Sequence, residues 1–321
     1  MKKYLLPCEG QFYKVNMHSH STLSDGKQTP EELKEAYLKL GYSAIAFTEH
    51  GELHDLNHLT DENFVAIKSY EIDFLNKENP TFIAYKGPVQ TNDHAEAVHM
   101  NFYAKRPDIT ERVRKTPIKE FKIENFNYAI AKAKELGYLT VYNHPNWSMN
   151  TYPLYSQLEG LNGIEIINGA SQRASDIDYA PTVYDQMARA GKRLICVGGD
   201  DNHGVRHFGT AWTMVKAPAL SYADLMDNLE KGNCYASDGP EIYELYMDEE
   251  DHVIIHCSPA KGVFLTTAGR RKEARLSEGE EPPITTAKFR IKPEDHFFRL
   301  TVRDAAGKHA NTRFYYLDDL K

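Results

Sequence analysis

Histidine and acidic side chains recur in short clusters along this 321-residue chain, which holds 14 histidines. Five clusters stand out: His18-Ser-His20, Thr48-Glu49-His50, Ser69-Tyr-Glu71, Asn143-His144-Pro145 and Asp200-Asp201-Asn-His203. Imidazole and carboxylate groups bind divalent cations such as zinc, manganese and iron, and imidazole also transfers protons near neutral pH. These residue types therefore indicate metal-assisted chemistry, provided that the fold brings the clusters together.

The spacing within two clusters places side chains on one face of an extended segment. Side chains alternate along a strand, so the rings of His18 and His20 would project to the same side and could hold one metal ion. Asp201 and His203 have the same spacing, so both could face one centre. Asp200 would then point elsewhere, although a shift of register by one residue would exchange the two aspartates.

Other candidate residues lie beside apolar runs that are typical of buried strands. Such runs are followed by His50, Glu71 and His144, and another is preceded by His99. His94 lies further upstream in a polar stretch, which favours His99 as the metal ligand of the two.

The elements that must position these residues alternate between strand-like and helix-like segments up to about residue 235. Predicted strands are 44–48, 65–69, 100–104, 139–142, 164–167, 194–197 and 211–215, and predicted helices include 123–136, 181–190 and 221–231. This alternation predicts an α/β fold with a parallel sheet, and the number of strands favours a closed barrel. The carboxyl ends of barrel strands share one rim, where the clusters would meet.

Helical periodicity stops after Gly239-Pro240, and short β-like runs follow at 253–257, 263–267, 287–291 and 297–302. We therefore predict two domains. Residues 1–238 would carry the chemistry, and residues 239–321 would form a small, sandwich-like all-β domain.

Composition excludes several classes of protein. A formal net charge of −8 argues against a stable nucleic-acid complex held by basic surface. No apolar run approaches the ~20 residues of a membrane span, so no membrane partner is expected. The 4 cysteines form no C-x-x-C pair, which disfavours a zinc ribbon. The first residues lack the apolar core of a signal peptide, which predicts a cytoplasmic protein.

In order along the chain, the motifs resemble those of the PHP domain (polymerase and histidinol phosphatase) family. They are His18-Ser-His20, Ser24-Asp25-Gly26, Thr29-Pro-Glu-Glu-Leu33, Thr48-Glu49-His50, Glu71, Asn143-His144-Pro145 and Gly199-Asp-Asp201-Asn-His203-Gly204. The resemblance covers roughly residues 13–238. It implies a distorted (β/α)7 barrel with a trinuclear metal centre at the carboxyl-terminal rim.

The resemblance also implies a ligand set for two or three divalent ions of zinc, manganese or iron. One ion would be bound by His18, His20, Glu71 and Asp201. A second would be bound by Glu71, His99 and His144, and a third by Asp25, His50 and His203. Asp25 is thereby a ligand, whereas its Ser-Asp-Gly context alone predicts a turn. The family's usual T-D-H motif contains Glu49 here, a departure that could alter the choice of substrate.

The activity that this resemblance implies is that of a hydrolase acting on ester bonds. A metal-bridging hydroxide would attack a small phosphomonoester, such as a nucleotide or a sugar phosphate. Arg173 and Arg206 are candidate contacts to the phosphate, and Glu165 and Asn168 are candidates for orienting the metal ligands. Two alternatives are an esterase for non-phosphate substrates on the same metals, and a non-catalytic metal-binding protein that binds a partner.

Overall fold

A computed structural model of the chain describes residues 2–77, 95–115 and 118–320. His94, the alternative to His99, lies outside the described residues. The helices are α1 (Pro30–Lys39), α2 (Ile123–Glu135), α3 (Tyr152–Tyr155), α4 (Gly169–Ser175), α5 (Pro181–Arg189) and α6 (Tyr222–Glu230).

The strands of the first two thirds of the chain are β1 (Lys3–Tyr4), β2 (Gln11–Asn16), β3 (Ala44–Phe47), β4 (Val65–Asn76), β5 (Glu96–Ala104), β6 (Tyr138–Tyr142), β7 (Gly163–Asn168), β8 (Ile195–Gly199), β9 (Trp212–Ala217) and β10 (Cys234–Ser237). Those of the last third are β11 (Ile242–Met247), β12 (His252–Ala260), β13 (Gly262–Thr267), β14 (Lys272–Leu276), β15 (Ile284–Arg290), β16 (Phe297–Arg303), β17 (His309–Thr312) and β18 (Tyr315–Tyr316). The mixture of α/β and all-β segments confirms the predicted fold class.

One large sheet runs through most of the molecule, in the order β14-β13-β16-β17-β10-β9-β2-β3-β4-β5-β6-β7-β8, with β18 beside β16. Strands β2, β3 and β4 are parallel, and so are β6, β7 and β8. Strands β3, β6, β7 and β8 are buried along their whole length, as expected for a sheet that helices cover.

The expectation of a wholly parallel sheet is wrong at β5 and β9. Strand β5 is antiparallel to both β4 and β6, and β9 is antiparallel to β2. Strand β4 also continues past the predicted end, because Ile72 and Phe74 extend its buried apolar face. Glu71 and His99 therefore lie within strands rather than beside their ends.

The two ends of the α/β part meet just beyond β2 and β8. The amide of Asp201 donates to the carbonyl of His18 (2.9 Å), and the amide of His20 donates to the carbonyl of Asn202 (3.3 Å). These bonds form a parallel bridge between Ser19 and Asn202. They join the chain segments of the first and fifth clusters, while the seven-unit closed barrel stays a prediction.

The last third of the chain packs as two facing sheets. A four-stranded sheet, β1-β11-β12-β15, shares a buried core with the end of the large sheet, through residues such as Leu245, Ile255, Leu265 and Leu300. Strand β17 pairs with β10, so the large sheet continues from this extension into the α/β part. Strand β1 belongs to the small sheet, although it lies at the start of the chain. The boundary at residues 238 and 239 stays a prediction.

No helix among the described residues is long and apolar enough to cross a membrane. The longest of them, α2, has 13 residues. The cytoplasmic location stays a prediction.

Candidate metal centre

All nine residues that the resemblance implies as metal ligands lie together at one edge of the large sheet. Their ligand atoms form three groups, within each of which the atoms lie no more than 4.8 Å apart: His20, Asp25, His50 and His203; His18, Glu71 and His144; and His18, His20 and Asp201. His99 lies beside them, with Nδ1 at 3.1 Å from Glu71. The three groups overlap with the implied ligand sets but differ in one residue each: His20 joins Asp25, His50 and His203, His18 takes the place of His99, and Glu71 is absent from the group with Asp201. The role of each residue as a ligand stays a prediction.

Glu71 is the centre of the inner part of the site. It is 1% exposed and comes from the middle of β4. Its Oε1 lies 3.1 Å from His99 Nδ1 and 3.4 Å from Nε2 of both His18 and His144. Its Oε2 lies 3.1 Å from His50 Nδ1. A carboxylate with imidazoles on both oxygens is suited to bridging two cations.

Asp201 supplies the second inner carboxylate. Its Oδ1 lies 3.3 Å from His18 Nε2 and 3.1 Å from His20 Nε2. Asp201 has a φ of 49°, a left-handed conformation that is costly for a residue with a side chain and that aims this carboxylate into the site. Asp200 instead accepts hydrogen bonds from the Tyr37 hydroxyl (2.7 Å) and from backbone amides of residues 209–211. The geometry therefore favours Asp201 over Asp200.

Asp25 forms the outer, more exposed part of the site. Its side chain is 55% exposed and lies 3.5 Å from His50 Nε2 and 3.4 Å from His203 Nε2. Those two histidines are about one third exposed. The turn predicted at Ser24-Asp25-Gly26 and the implied ligand role are thus compatible, because the turn itself delivers the carboxylate.

The chemistry of the donor set fits divalent cations. Buried nitrogens without a hydrogen-bond partner among the described residues include His18 Nε2 and both ring nitrogens of His20. A buried polar atom without a partner is costly, and a shared cation would satisfy each of them. His20 Nε2 lies 3.1 Å from Asp201 Oδ1, close enough for both atoms to bind one ion.

Gly199 shows how tightly the site is built around His18. A Cβ atom at position 199 would lie 2.6 Å from the Cβ and 2.7 Å from the backbone nitrogen of His18. No side chain fits that space. The glycine at the end of β8 therefore lets the segment with His18 approach the segment with Asp201.

Burial and opposite charges shift the pKa values of the inner residues. Burial alone would lower the pKa of His18, but the carboxylates around it, Asp201 first, raise that pKa well above its usual value. Burial alone would raise the pKa of Glu71, but imidazoles around it, His99 first, hold that pKa well below its usual value. Glu71 is thus ionised at neutral pH, the state in which a carboxylate binds a metal.

Glu165 and Asn168 hold the inner residues in place. Oε1 of Glu165 lies 3.0 Å from His18 Nδ1, and its Oε2 accepts from the backbone amide of His144 (3.1 Å). Asn168 Nδ2 donates to Asp201 (3.1 Å) and to Glu165 (2.9 Å). These contacts are those expected of the predicted orienting role, which stays a prediction.

Three positioning residues escaped the sequence analysis. Asn143 Nδ2 donates to Glu71 (2.7 Å), and Ser148 Oγ lies 3.1 Å from His144 Nδ1. Asp178 accepts from the two backbone amides of the turn that follows His144. Asn143 is the first residue of the Asn-His-Pro motif and Ser148 lies three residues after that motif, so both could have been suspected, whereas nothing in the sequence around Asp178 indicates its role.

Glu49, the departure from the T-D-H motif, is fully buried and does not face the metal groups. It accepts hydrogen bonds from the amide of Ser21 (3.0 Å), from the Ser21 hydroxyl (2.5 Å) and from the Ser24 hydroxyl. Its carboxylate thus holds the loop that carries Asp25.

The predicted phosphate contacts lie near His203. His207 Nδ1 accepts from the amide of His203 (3.2 Å), and Arg206 Nε lies 3.0 Å from His207 Nε2. Burial lowers the pKa of His207, and Arg206, His203 and Arg173, which lies in α4, lower it further through their charges. Both arginines border the site, but neither contacts a candidate metal ligand directly.

The site opens into a cavity of about 520 Å³. It is lined by Asp25, His50, His99, Trp147 and Met149 among others. Trp147 packs edge-on against His99 and His144, at ring distances of 5.5 and 5.0 Å.

Similarity to known proteins identifies the family of this chain. A curated relative, the DNA polymerase/3'-5' exonuclease PolX of Bacillus subtilis, is 41% identical over 75 residues, which are 23% of this chain and 13% of that protein. This chain therefore matches only a small part of the length of that relative.

Two solved structures are similar at low identity. One is a two-domain protein of Bacteroides vulgatus that contains a predicted PHP-like metal-dependent phosphoesterase (17% identity, TM-score 0.48, covering 98% of this chain and 97% of that chain). The other is the lesion-specific endonuclease EndoQ of Pyrococcus furiosus (13% identity, TM-score 0.38, covering 69% and 56%).

The PHP domain family model matches residues 16–197, more than half of the chain. That span contains the motifs from His18 to Glu165 around which the site is built, while Asp201 and His203 follow just beyond it. The chain is a member of the PHP domain family.

Proposed function

We propose that this protein is a metal-dependent phosphoesterase that hydrolyses a small phosphorylated substrate. The observation that carries the proposal is a set of three buried imidazole nitrogens, His18 Nε2 and both ring nitrogens of His20. They have no hydrogen-bond partner among the described residues, and the Nε2 atoms face Glu71 and Asp201. Donor sets of nitrogen and oxygen without sulfur suit zinc, manganese or iron. We further propose two or three ions, held as the resemblance implies.

When bound, such ions would polarise phosphoryl oxygens and supply hydroxide at neutral pH. The residues of the chain then have two roles, to bind the ions and to orient the ligands. Glu71 and Asp201 provide negative charge to bind the ions, while Glu165, Asn143 and Ser148 fix the orientation of the ligands. The cavity beside His50 and Trp147 leaves room for the substrate on the exposed side of the site.

The inner residues of the site are more buried than the outer ones, and this difference supports a catalytic metal site rather than a purely structural one. His18, Glu71 and His144 are nearly inaccessible, whereas the group of Asp25 and His50 faces the cavity. Structural metal sites are closed, and catalytic sites keep an accessible position for water or substrate. The outer group provides such a position.

The test combines metal analysis with a substrate comparison on the pure protein. We expect bound divalent metal and metal-dependent hydrolysis of p-nitrophenyl phosphate that exceeds hydrolysis of p-nitrophenyl acetate. The variant His18→Ala/His20→Ala should lose metal and activity together, whereas the control His58→Ala/His256→Ala, at two partly exposed histidines, should keep both. Full activity in the first variant would overturn the site.

The same assay separates the alternatives. Faster turnover of the acetate would favour an esterase for non-phosphate substrates, and bound metal without hydrolysis of any ester would favour a non-catalytic metal-binding protein. A 3'-labelled oligonucleotide belongs in the panel, because the Bacillus relative is named a 3'-5' exonuclease. The net charge of −8 favours the small substrate.

A further inference from the structure

The cavity of about 520 Å³ beside the metal centre is only partly lined by candidate metal ligands, which are Asp25, His50 and His99. The other described residues that line it are Asp73, Leu75, Ala95, Ala97, Trp147 and Met149. All of these except Asp73 are apolar. The cavity therefore combines a metal-binding part with an apolar part.

The paired strands β4 and β5 form one wall of the cavity and connect its two parts. Side chains alternate along a strand, so Glu71, Asp73 and Leu75 project from the same face of β4. Asp73 pairs with His99, and Leu75 pairs with Ala97. At about 3.3 Å per residue, Ala97 lies about 7 Å along β5 from His99. The apolar part thus begins within the length of one small organic group from a candidate metal ligand.

The turn at residues 145–150 forms another wall, which includes Trp147. This turn is bonded directly to β5. The amide of Ala97 donates to the carbonyl of Ser148 (3.1 Å), and the carbonyl of Ala97 accepts from the side-chain amide of Asn150 (2.7 Å). The two walls are therefore fixed relative to each other, and the space between them is formed before a ligand binds.

The two large side chains of the turn are placed as in a binding surface. Trp147 is 48% exposed, although its ring packs against His99 and His144. An indole with so much surface in water is stabilised when an apolar group covers it. Met149 has a φ of 60°, a left-handed conformation that is costly for a residue with a side chain and that recurs where ligands bind.

The apolar part of the lining offers no unpaired charge to a ligand. Apart from the candidate metal ligands, Asp73 is the one ionisable residue among the described residues of the lining. Its carboxylate accepts a hydrogen bond from the ammonium group of Lys115 (2.6 Å), which neutralises it. A second phosphate or a carboxylate on the ligand would lose its hydration there without gaining a counter-ion. The lining therefore favours an uncharged group.

We propose that the apolar part of this cavity binds the organic group of the substrate, with Trp147 as the residue that determines specificity. A phosphomonoester has a single organic group, and ions at the candidate ligands would place its phosphoryl group beside this surface. The inference rests on the proposed phosphoesterase function. It narrows the substrate class to phosphomonoesters of uncharged, apolar alcohols or phenols and disfavours sugar phosphates.

Three substrates of similar size test the proposal. We compare kcat/KM for benzyl phosphate, cyclohexylmethyl phosphate and glucose 6-phosphate, each of which carries a six-membered ring on a phosphorylated CH₂ group. The wild type should prefer at least one of the two apolar esters over glucose 6-phosphate by about tenfold, mainly through KM, as burial of an apolar ring allows. The ester with the larger ratio identifies an aromatic or a saturated ring as the group that the cavity prefers.

The preference should fall towards one in Trp147→Ala and also in Met149→Asn, since asparagine adopts the left-handed conformation of this turn readily. Trp147→Phe should keep most of it. The control Tyr128→Ala removes an exposed aromatic ring from α2, outside the cavity, and should keep the wild-type ratio. Because each ratio compares substrates on one protein, a general loss at the metal centre cancels. A wild-type ratio of one for both apolar esters, or an unchanged ratio in Trp147→Ala, would overturn the proposal.

A binding measurement separates failure of this inference from failure of the proposed function. The chain has 2 tryptophans, so Trp212→Phe leaves Trp147 as the sole indole fluorophore. Titration of this variant with 4-nitrobenzyl alcohol, an uncharged quencher without phosphate, should quench the fluorescence saturably, and adding Met149→Asn should weaken the affinity. If no phosphoester is hydrolysed but this pattern holds, the function is wrong and the apolar site stands. Quenching that rises linearly, as for free N-acetyltryptophanamide, would refute the apolar site.

Discussion

Glu49 shows how one buried side chain determines the position of another. Its carboxylate has no exposed surface and accepts hydrogen bonds from the backbone and hydroxyl of Ser21 and from the hydroxyl of Ser24. The loop that it holds leads directly into Asp25. Gly26 completes the turn, and a Cβ there would lie 2.2 Å from the carbonyl oxygen of His20.

We expect Glu49→Ala to remove about one metal ion per chain from the group of Asp25, His50 and His203, because the loop loses its acceptor. Loss of a charge-assisted bond should also lower the free energy of unfolding by about 1–3 kcal/mol. Elemental analysis after dialysis measures the first effect, and urea unfolding measures the second. Asp25→Ala should lose the same ion, and the exposed Glu62→Ala should lose none; a full metal content in Glu49→Ala would contradict the positioning role.

A separate prediction concerns Glu165, because it contacts both His18 and the backbone of His144. In Glu165→Gln, the side-chain amide would place an N–H donor against either the His18 ring nitrogen or the backbone N–H of His144. Outer contacts of this kind typically change metal affinity 10–100-fold, so we expect a loss of about that size. Competition with a fluorescent chelator measures it, with exposed Glu135→Gln as the control. Equal affinities in the two variants would refute the orienting role.

The candidate metal ligands could be predicted from the sequence more completely than the residues that hold them in position. His18 and His20, or Asp201 and His203, are neighbours whose alternating geometry can be recognised without a structure. Asp178 supports the turn after His144 across more than thirty residues of chain, in a conformation with φ of 60°. Nothing near it in the sequence indicates that contact.

At the scale of elements, α5 and β16 join the extension to the α/β part through a buried ion pair. Arg299 Nε lies 2.7 Å from Asp185 Oδ1, and the two residues are 4% and 7% exposed. Arg299 also donates to Thr301 (2.6 Å), which contacts Asn311. Asn311 also accepts a hydrogen bond from the Tyr179 hydroxyl (3.2 Å), and the Tyr179 ring stacks on His309.

Arg299→Met should lower the free energy of unfolding by about 3–5 kcal/mol, because it leaves the Asp185 carboxylate buried without its partner. Arg299→Met/Asp185→Leu removes both charges and should recover much of that loss. Urea unfolding of the two variants measures the difference. If the double variant is as unstable as the single one, the ion pair is not the cause.

The sequence predicted most elements of the α/β part but not all strand directions. Apolar runs such as that of β3 and β6 identify buried strands, yet they carry no information about which neighbour they pair with. Strand β5 is antiparallel to both of its neighbours and pairs with β4 through residues 96–103 and with β6 through residues 100–104. The two-residue β1 was too short to give any periodic signal.

At the scale of the whole molecule, continuous strand pairing argues for cooperative unfolding. Strand β10 pairs with β9 of the α/β part and with β17 of the extension, and no break separates the two in the large sheet. We expect one urea transition, with peptides from both parts losing hydrogen-exchange protection at the same urea concentration. Two separate transitions would show that residues 239–321 fold independently.

The placement of β1 has a consequence for protein synthesis. Tyr4 pairs with Tyr246, and Leu5 and Leu6 are buried in the core of the extension. At translation rates of about 5–20 residues per second, these residues leave the ribosome roughly 10–50 s before their partner strand is made. The metal-site segments up to His203 also emerge before β9 and β10. The nascent chain therefore carries uncovered leucines and an unfinished sheet until translation is nearly complete.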